Sequence, residues 1–299
     1  MNTQYNQIRY EDNPGYRVLH TVGARAGESV LPYLHYSLNF MLLYFKHGTG
    51  TIKIEGRLYN IDEGDLIILN TSELYQFTVD NKFFHERITL GVNEALLATF
   101  PDACSSLFAP FYKREKGMGN RICAATVKEH GIDTYLNDIL KYIKSSDSTA
   151  APLTFCKIIE LLAKLNEIFT PADLANNSPM LLNPLIKDVL NYLNTHFKDN
   201  ISISDVAEKF NIDKSYLSHL FKEHVGMGLW TYVIFRRIQL FNSLISKNSS
   251  IEDTCYQVGF QNYSNFFRLY KKYMNMTPTQ FKSKIKSGKK MININSHLI

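Results

Sequence analysis

Cysteine, proline and tryptophan are scarce in this chain of 299 residues, which holds 4, 9 and 1 of them. The cysteines (Cys104, Cys123, Cys156 and Cys255) never approach CxxC spacing, which argues against a zinc ribbon and against a thioredoxin-type redox site. Long apolar runs are missing too. The longest, Phe40–Phe45, falls far short of the ~18–20 residues that span a bilayer. The opening MNTQYNQIRYEDNPGY lacks the basic-then-apolar order of a secretory signal. No Gly-x-Ser-x-Gly motif occurs, and Gly48-Thr49-Gly50 leads into a strand pattern rather than a helix, so it reads as a hairpin turn and not a phosphate loop. A chain of this length buries roughly three quarters of its extended surface and needs neither disulfide nor metal to fold. These absences lead us to expect a soluble, reduced, cytoplasmic protein with no catalytic residues and no cofactor.

Charge is present but unevenly spread. Residues 1–180 carry 17 basic and 20 acidic side chains, a net of −3, whereas residues 181–299 carry 16 and 8, a net of +8; together they give the formal +5. A mildly acidic front on a basic back points to a polyanion met by the back alone.

The front reads as short strands. Phe40–Phe45 has strand length, Ile52 and Ile54 alternate within Thr51–Ile54, and Glu55-Gly56 is a two-residue turn into Arg57–Ile61. Glu63-Gly64-Asp65 turns into Leu66–Leu69, and Tyr75–Val79 and Phe83–Leu90 follow. Strands at about 8–12-residue spacing from about Val30 to Leu90 indicate a sandwich or barrel, whose interior can hold a small ligand. Between Ala124 and Phe169 the period becomes helical. Ile132, Leu136, Ile139, Leu140 and Ile143 mark one helix, and Phe155, Ile158, Ile159, Leu162, Leu165 and Phe169 a second, opening near Pro152. Ser145–Thr149 separates the two into a hairpin able to pair with a second copy of the chain. Residues 171–182, polar and holding two prolines (Pro171, Pro179), read as a linker.

Everything beyond is helical. Asn183-Pro184 caps and opens a helix with Ile186, Val189, Leu190 and Leu193 on its buried side. Ser202 and Asp205 form a capping box for the next, whose stripe is Val206, Ala207 and Phe210. Asn211-Ile212-Asp213 breaks it, and Lys214–His224 resumes: a helix, a tight turn and a helix. About 49 residues later the layout returns. Ser250–Asp253 starts a short helix, Cys255 stands in the place of Ala207, Val258-Gly259-Phe260 turns, and Asn262 or Tyr263 begins a long helix through Tyr273. A connecting helix, Leu229–Ile245, presents Tyr232, Val233, Ile238 and Leu244 on its apolar side. A DNA-reading helix needs one face buried and one face of basic and amide groups for phosphates and base edges. In the first unit Leu217, Leu220 and Phe221 are anchors, leaving Lys214, Ser215, Tyr216, Ser218, His219 and Lys222 outward. In the second Phe266, Phe267 and Tyr270 anchor, leaving Asn262, Tyr263, Ser264, Asn265, Arg268, Lys271 and Lys272. Asn suits adenine and Arg suits guanine.

These residues resemble the paired helix-turn-helix domain of AraC/XylS-type transcription regulators. The likeness runs over about 100 residues, from Asn183 to Lys282. It includes I-x-x-x-D-V-A at the start of the first unit, S-x-x-L-S-x-x-F-K in its centre, Gly226, Tyr232 and Arg237-Ile238. The second unit keeps V-G-F, Ser264, Phe266, Arg268, Lys271-Lys272 and Thr277-Pro278. Phe241 and Cys255 stand where alanine is usual, Asn275 where glycine is, and Gly228 where serine or proline is frequent. GTGTIKIEGRLYNIDEGDLIILN is similar to the hairpin of the cupin-type effector domain of such regulators. The resemblance implies an α+β chain: a cupin-like effector domain over 1–120, a dimerising helical hairpin over 121–170, the linker over 171–182, a double helix-turn-helix domain over 183–285 and a basic tail over 286–299. It implies double-stranded DNA, a small effector such as a sugar, a homodimer and RNA polymerase as partners, no membrane, and activation of transcription. His35, Tyr44, Tyr75 and His85 are the candidate effector contacts. The different-class alternative, a metal-dependent cupin enzyme with a helical appendage, requires clustered histidines, and His35 and His85 stand singly. A third class, a protein-binding scaffold, would bind DNA weakly and without regard to sequence.

Overall fold

The computed structural model describes residues 6–12, 15–23, 35, 37, 39–71, 73–79, 84–97, 106–169, 183–245 and 249–286. The linker expected over 171–182 and the tail beyond Lys286 lie outside them. The chain forms two compact units that divide near residue 180.

The first unit pairs two antiparallel sheets. Strands β1 (Asn6–Asp12), β2 (Tyr16–Gly23), β3 (Phe40–His47), β6 (Leu66–Leu69), β8 (His85–Val92) and β9 (Arg121–Ile122) form one in the order β1-β2-β8-β3-β6-β9; β4 (Gly50–Ile54), β5 (Arg57–Ile61) and β7 (Tyr75–Val79) form the other as β5-β4-β7. The unbroken apolar run of β3 now has a cause: both its faces are buried, as expected of a strand covered on two sides. Met41, Leu43 and Phe45 pack against Ile52, Ile54, Tyr59, Ile61, Tyr75 and Phe77 between the sheets. Phe40, Leu42 and Tyr44 pack the opposite way, against a helical layer. The Glu55-Gly56 turn has φ of 49° and 80°, the left-handed pair that a two-residue hairpin turn demands.

Strands β1, β2 and β9 were not expected, and β8 runs two residues later than Phe83–Leu90. The helical layer holds α1 (Ala109–Tyr112), α2 (Ala124–Glu129), α3 (Ile132–Lys144) and α4 (Ala150–Ile168). Pro152 is the third residue of α4, still within the first turn where its missing N–H costs nothing. Ile132, Leu136, Ile139 and Leu140 of α3 meet Ile158, Leu161, Leu162 and Leu165 of α4 with 5% exposure or less. Each such burial contributes about 1.5–3 kcal/mol. Phe155, Ile159 and Phe169, expected on the stripe, are half-buried at its edge.

Two ion pairs brace this unit, Arg114–Glu73 fully buried and Arg121–Asp65 with only the carboxylate buried. Arg114 grips Glu73 through both oxygens at 2.6 and 2.8 Å, and Glu73 also accepts the Asn70 and Gly117 N–H groups. Asp65 accepts from Arg121 Nε at 2.6 Å and from the Ala124 N–H at 2.9 Å, the first residue of α2. Gly64 beside it has φ +87°, and a Cβ there would meet the Ala124 Cβ at 2.9 Å.

The second unit comprises α5 (Pro184–His196), α6 (Ile203–Lys209), α7 (Lys214–Val225), α8 (Leu229–Leu244), α9 (Ile251–Gln257), α10 (Tyr263–Met274) and α11 (Pro278–Lys286). Asn183 caps α5, and Ser202 with Asp205 closes the full capping box on α6. Both helix-turn-helix units end their first helix alike. Asn211 (φ 55°) and Gly259 (φ 99°) take the left-handed position, with Ile212 N–H donating to the Ala207 carbonyl and Phe260 N–H to that of Cys255. Ser202 and Ser250, the two first-helix caps, are 48 residues apart. Asp213 and Asn262, the two second-helix caps, are 49 apart, so the second turn holds one residue more than the first.

Helix α8 joins the two helix-turn-helix units and is buried on almost every side. Toward the first helix-turn-helix its Tyr232 hydroxyl donates to Asn194 Oδ1 of α5 at 2.8 Å and its ring packs on Phe221 of α7. Toward the second, Phe241 packs on Phe266 at 4.8 Å and Asn242 accepts from Tyr270 at 2.7 Å. Leu244, expected on the apolar side, is 37% exposed.

Candidate functional site

Helices α7 and α10 have 12 residues each, and the same frame holds both. Asp213 accepts the Ser215 and Tyr216 N–H groups at 2.8 and 2.9 Å, and Asn262 accepts the Asn265 N–H at 2.8 Å. A 49-residue shift carries each anchor of one onto the other: Leu217 to Phe266, Phe221 to Tyr270, Val225 to Met274, all buried. Leu220 and Phe267, expected as anchors, are half-buried, and Val225 and Met274 complete the inner faces instead. Each helix ends on a left-handed residue, Gly226 (φ 87°) and Asn275 (φ 51°), so the asparagine serves where the resemblance leads one to expect glycine.

The outward faces follow from these anchors. Lys214, Ser215, Tyr216, His219 and Lys222 are exposed on α7, and Ser218 is half-buried with its hydroxyl donating to the Lys214 carbonyl. On α10, Ser264, Asn265, Arg268, Lys271 and Lys272 are exposed, while Tyr263 is half-buried with its ring toward Phe266 and Phe267. Arg268 donates to Asn265 Oδ1 at 3.0 Å, a pre-set pair on the exposed surface. Asn262 is exposed but stands at the cap, and its Oδ1 is engaged there. The 49-residue shift also pairs Ser215 with Ser264, His219 with Arg268 and Lys222 with Lys271. These donors suit phosphate and base edges, the basic ones by charge and the hydroxyls and amides by hydrogen bonds.

The second candidate site is the space between the two sheets. Antiparallel partners share a face, so the register sets Leu19 and Thr21 of β2 opposite Thr89 and Arg87 of β8, with Arg17 opposite Gly91 and His85 opposite Gly23. The side chains of Arg17, Leu19, Thr21, His85, Arg87 and Thr89 lie on one inward face. Arg17 and Arg87 are 3% and 5% exposed, and the Arg87 guanidinium lies 4.2 Å from the Phe77 ring centroid. Burial pushes the Tyr75 phenol up, opposed by the nearby Arg87 charge. Burial, then Arg87, pushes His85 down to about 4, so its ring is neutral near pH 7. The structure therefore gathers Tyr75, His85 and Arg87. It does not gather Tyr44, which the alternation of β3 turns to the helical layer; its phenol is raised by burial and then by Asp133 of α3. His35 is buried but lies outside the strands of either sheet. Sequence reasoning missed Arg17, Thr21 and Arg87. The signal was inverted alternation in HERITLGV, where His85, Arg87 and Thr89 share the inward face. Among the described residues no three His, Cys, Asp or Glu side chains come together as a metal site, and no helix is long and apolar enough to cross a membrane.

Comparison with known proteins places both sites in context. Residues 23–162 match the family described as an AraC-like ligand binding domain, and residues 206–284 match a helix-turn-helix domain. The chain is 24% identical to YdiP of Escherichia coli K12, an uncharacterised HTH-type transcriptional regulator, over 82% of this chain and 79% of that one. It is 25% identical to the uncharacterised HTH-type regulator SAS0078 of Staphylococcus aureus MSSA476, over 82% of this chain but 32% of that protein. The chain thus spans about a third of the staphylococcal relative. Among solved structures, ToxT from Vibrio cholerae O395 covers 91% of this chain and 98% of its own at 14% identity and a TM-score of 0.38. The C-terminal domain of AraT from Geobacillus stearothermophilus covers 35% of this chain and 88% of its own, at 23% and 0.34.

Proposed function

The chain belongs to the AraC family of helix-turn-helix transcription regulators, and on that premise we propose that α7 and α10 enter successive major grooves on one face of a duplex, about 34 Å apart, under control of an effector held between the two sheets. It is a DNA-binding transcription regulator with a small-molecule effector domain, and not an enzyme. The observation that carries the proposal is the duplicated frame: two helices of equal length, capped, anchored and ended alike, each leaving a polar, largely basic face exposed.

Lys214, Ser215, Tyr216, Ser218, His219 and Lys222 form the first contact set; Tyr263, Ser264, Asn265, Arg268, Lys271 and Lys272 form the second, with Asn262 at its head. Because the units follow one another along a single chain, the operator is asymmetric. Tyr75, His85, Arg87, Arg17 and Thr21 line the effector site, which offers hydrogen-bond donors to the oxygens of a sugar or related metabolite. The α3–α4 hairpin pairs two copies of the chain, using the side of α4 on which Leu153 and Cys156 are exposed. Effector shifts the population of DNA-competent arrangements, and the outcome is activation through RNA polymerase in the cytoplasm.

Selection of random duplexes with the full-length protein tests the DNA step. An asymmetric two-part motif supports it; binding without sequence preference, strongly lost with salt, rejects it. A thermal-shift screen of sugars and small metabolites tests the sensor, since a ligand that binds only the folded state raises its melting temperature.

A further inference from the structure

The turn after α5, residues 197–199, leads within three residues into Ser202, the cap of the first helix-turn-helix unit. Two features from elsewhere in the same unit of the fold close on it. Arg237 of the connecting helix α8, only 4% exposed, donates from Nε to the Phe197 carbonyl at 2.6 Å and from Nη2 to the Asp199 carbonyl at 2.9 Å. Gly259, in the turn of the second unit, packs its backbone on Lys198 so closely that a Cβ would lie 2.4 Å from the Lys198 carbonyl oxygen.

The same guanidinium also reaches the second unit. It lies 5.6 Å from the Phe260 ring there, and 5.4 Å from the ring of Trp230 on its own helix. Phe260 packs on Phe266 at 5.0 Å, and Phe266 is the first buried anchor of the recognition helix α10. An unbroken line of contacts therefore runs from the root of the first unit, through Arg237 and Phe260, to the helix that reads the second half-site. Lysine would not reproduce this geometry: a guanidinium is a planar fork whose Nε and Nη2 reach two carbonyls along fixed directions while its flat face lies against rings, whereas an ammonium is a compact point charge on a flexible stem.

We propose that Arg237, with Gly259 behind it, is a positioning residue that sets the spacing and phase between the two recognition helices. It contacts no DNA in this role. Without the clamp α8 still joins the units, but the second is no longer fixed against the root of the first. This inference rests on the two-groove reading above, and its test separates the two.

The test uses the full-length protein and the duplex recovered by selection, remade with one base pair inserted into or removed from the segment between the two half-sites. One base pair moves the half-sites by about 3.4 Å and roughly 35°. Wild type should lose on the order of tenfold in affinity on either change, as for a mismatched contact. Arg237→Lys should flatten that profile, binding the altered duplexes within about threefold of the original, while a duplex with only one half-site is bound as by wild type. Melting curves establish that the variant is folded; if it is not, Phe260→Leu, which removes the stack and spares both carbonyl bonds, is measured in its place. A folded variant with the wild-type spacing profile overturns the positioning role. A flat profile in wild type overturns the two-groove reading instead, and the positioning role with it.

Discussion

The Asp65 carboxylate accepts the Ala124 N–H at 2.9 Å, so a turn of the sheet caps the helix that leads into the α3–α4 hairpin. Cys123, at the N-cap position itself, gives no side-chain cap. The cap comes from 59 residues upstream, and Arg121 holds it in place.

Asp65→Ala should therefore lower the stability of the N-terminal unit by about 2–4 kcal/mol, the loss expected when one partner of a buried pair is removed. Thermal denaturation of the purified protein measures it. A change below ~0.5 kcal/mol would mean that the cap is dispensable.

His85 makes stability depend on pH. Its folded value, about 4, lies below the ordinary 6.5, so between these two the unfolded chain binds more protons than the folded one. The stabilisation is full above pH 6.5 and is lost as pH falls toward 4, by an amount on the order of 3 kcal/mol. Urea denaturation across that window should show the slope, and His85→Gln should flatten it. An equal slope in the variant would place the effect on other groups.

The recognition helices should respond differently to base and phosphate contacts. Arg268→Ala should relax preference at one position of the operator by about 1–3 kcal/mol. Lys271→Ala should weaken all sequences alike and reduce the salt dependence by about one phosphate. Asn262→Ala confounds two effects, because losing the cap costs about 1 kcal/mol of helix stability. Asn262→Ser keeps the cap and isolates any base contact. If Arg268→Ala and Asn262→Ser both leave the selected motif unchanged, the placement of α10 in the groove is wrong.

The equivalent turn residues Asn211 and Gly259 should not tolerate the same change. Gly259→Ala places a Cβ 2.4 Å from a carbonyl oxygen at φ +99° and should cost about 3 kcal/mol or more. Asn211→Ala, at φ 55° without that clash, should cost about 1 kcal/mol. Melting temperatures of the two variants decide it.

What could be read in advance followed from local chemistry. Ser202, Asp205 and Asn183 announced their caps because capping depends on residues within one turn, and the structure closes those bonds. Strand β2 stayed hidden because YRVLHTVG carries Arg17 and Thr21 beside Leu19 on its inward face, and His20 interrupts Tyr16, Val18 and Val22 on the other, so the apolar alternation is broken on both faces. Leu244 was misplaced because α8 is buried nearly all round, and a helix without an exposed side has no periodic face. The doubled anchors of α7 and α10 were visible as a repeat, but Arg237's clamp was not. Its partners are backbone carbonyls, and any residue supplies those.

Strand β3 is a partition one residue thick. Met41, Leu43 and Phe45 lie on the side of the second sheet and Phe40, Leu42 and Tyr44 on the hairpin side of the same backbone. The two packed clusters therefore share one strand, and a side chain enlarged on either face of β3 is felt through the same backbone.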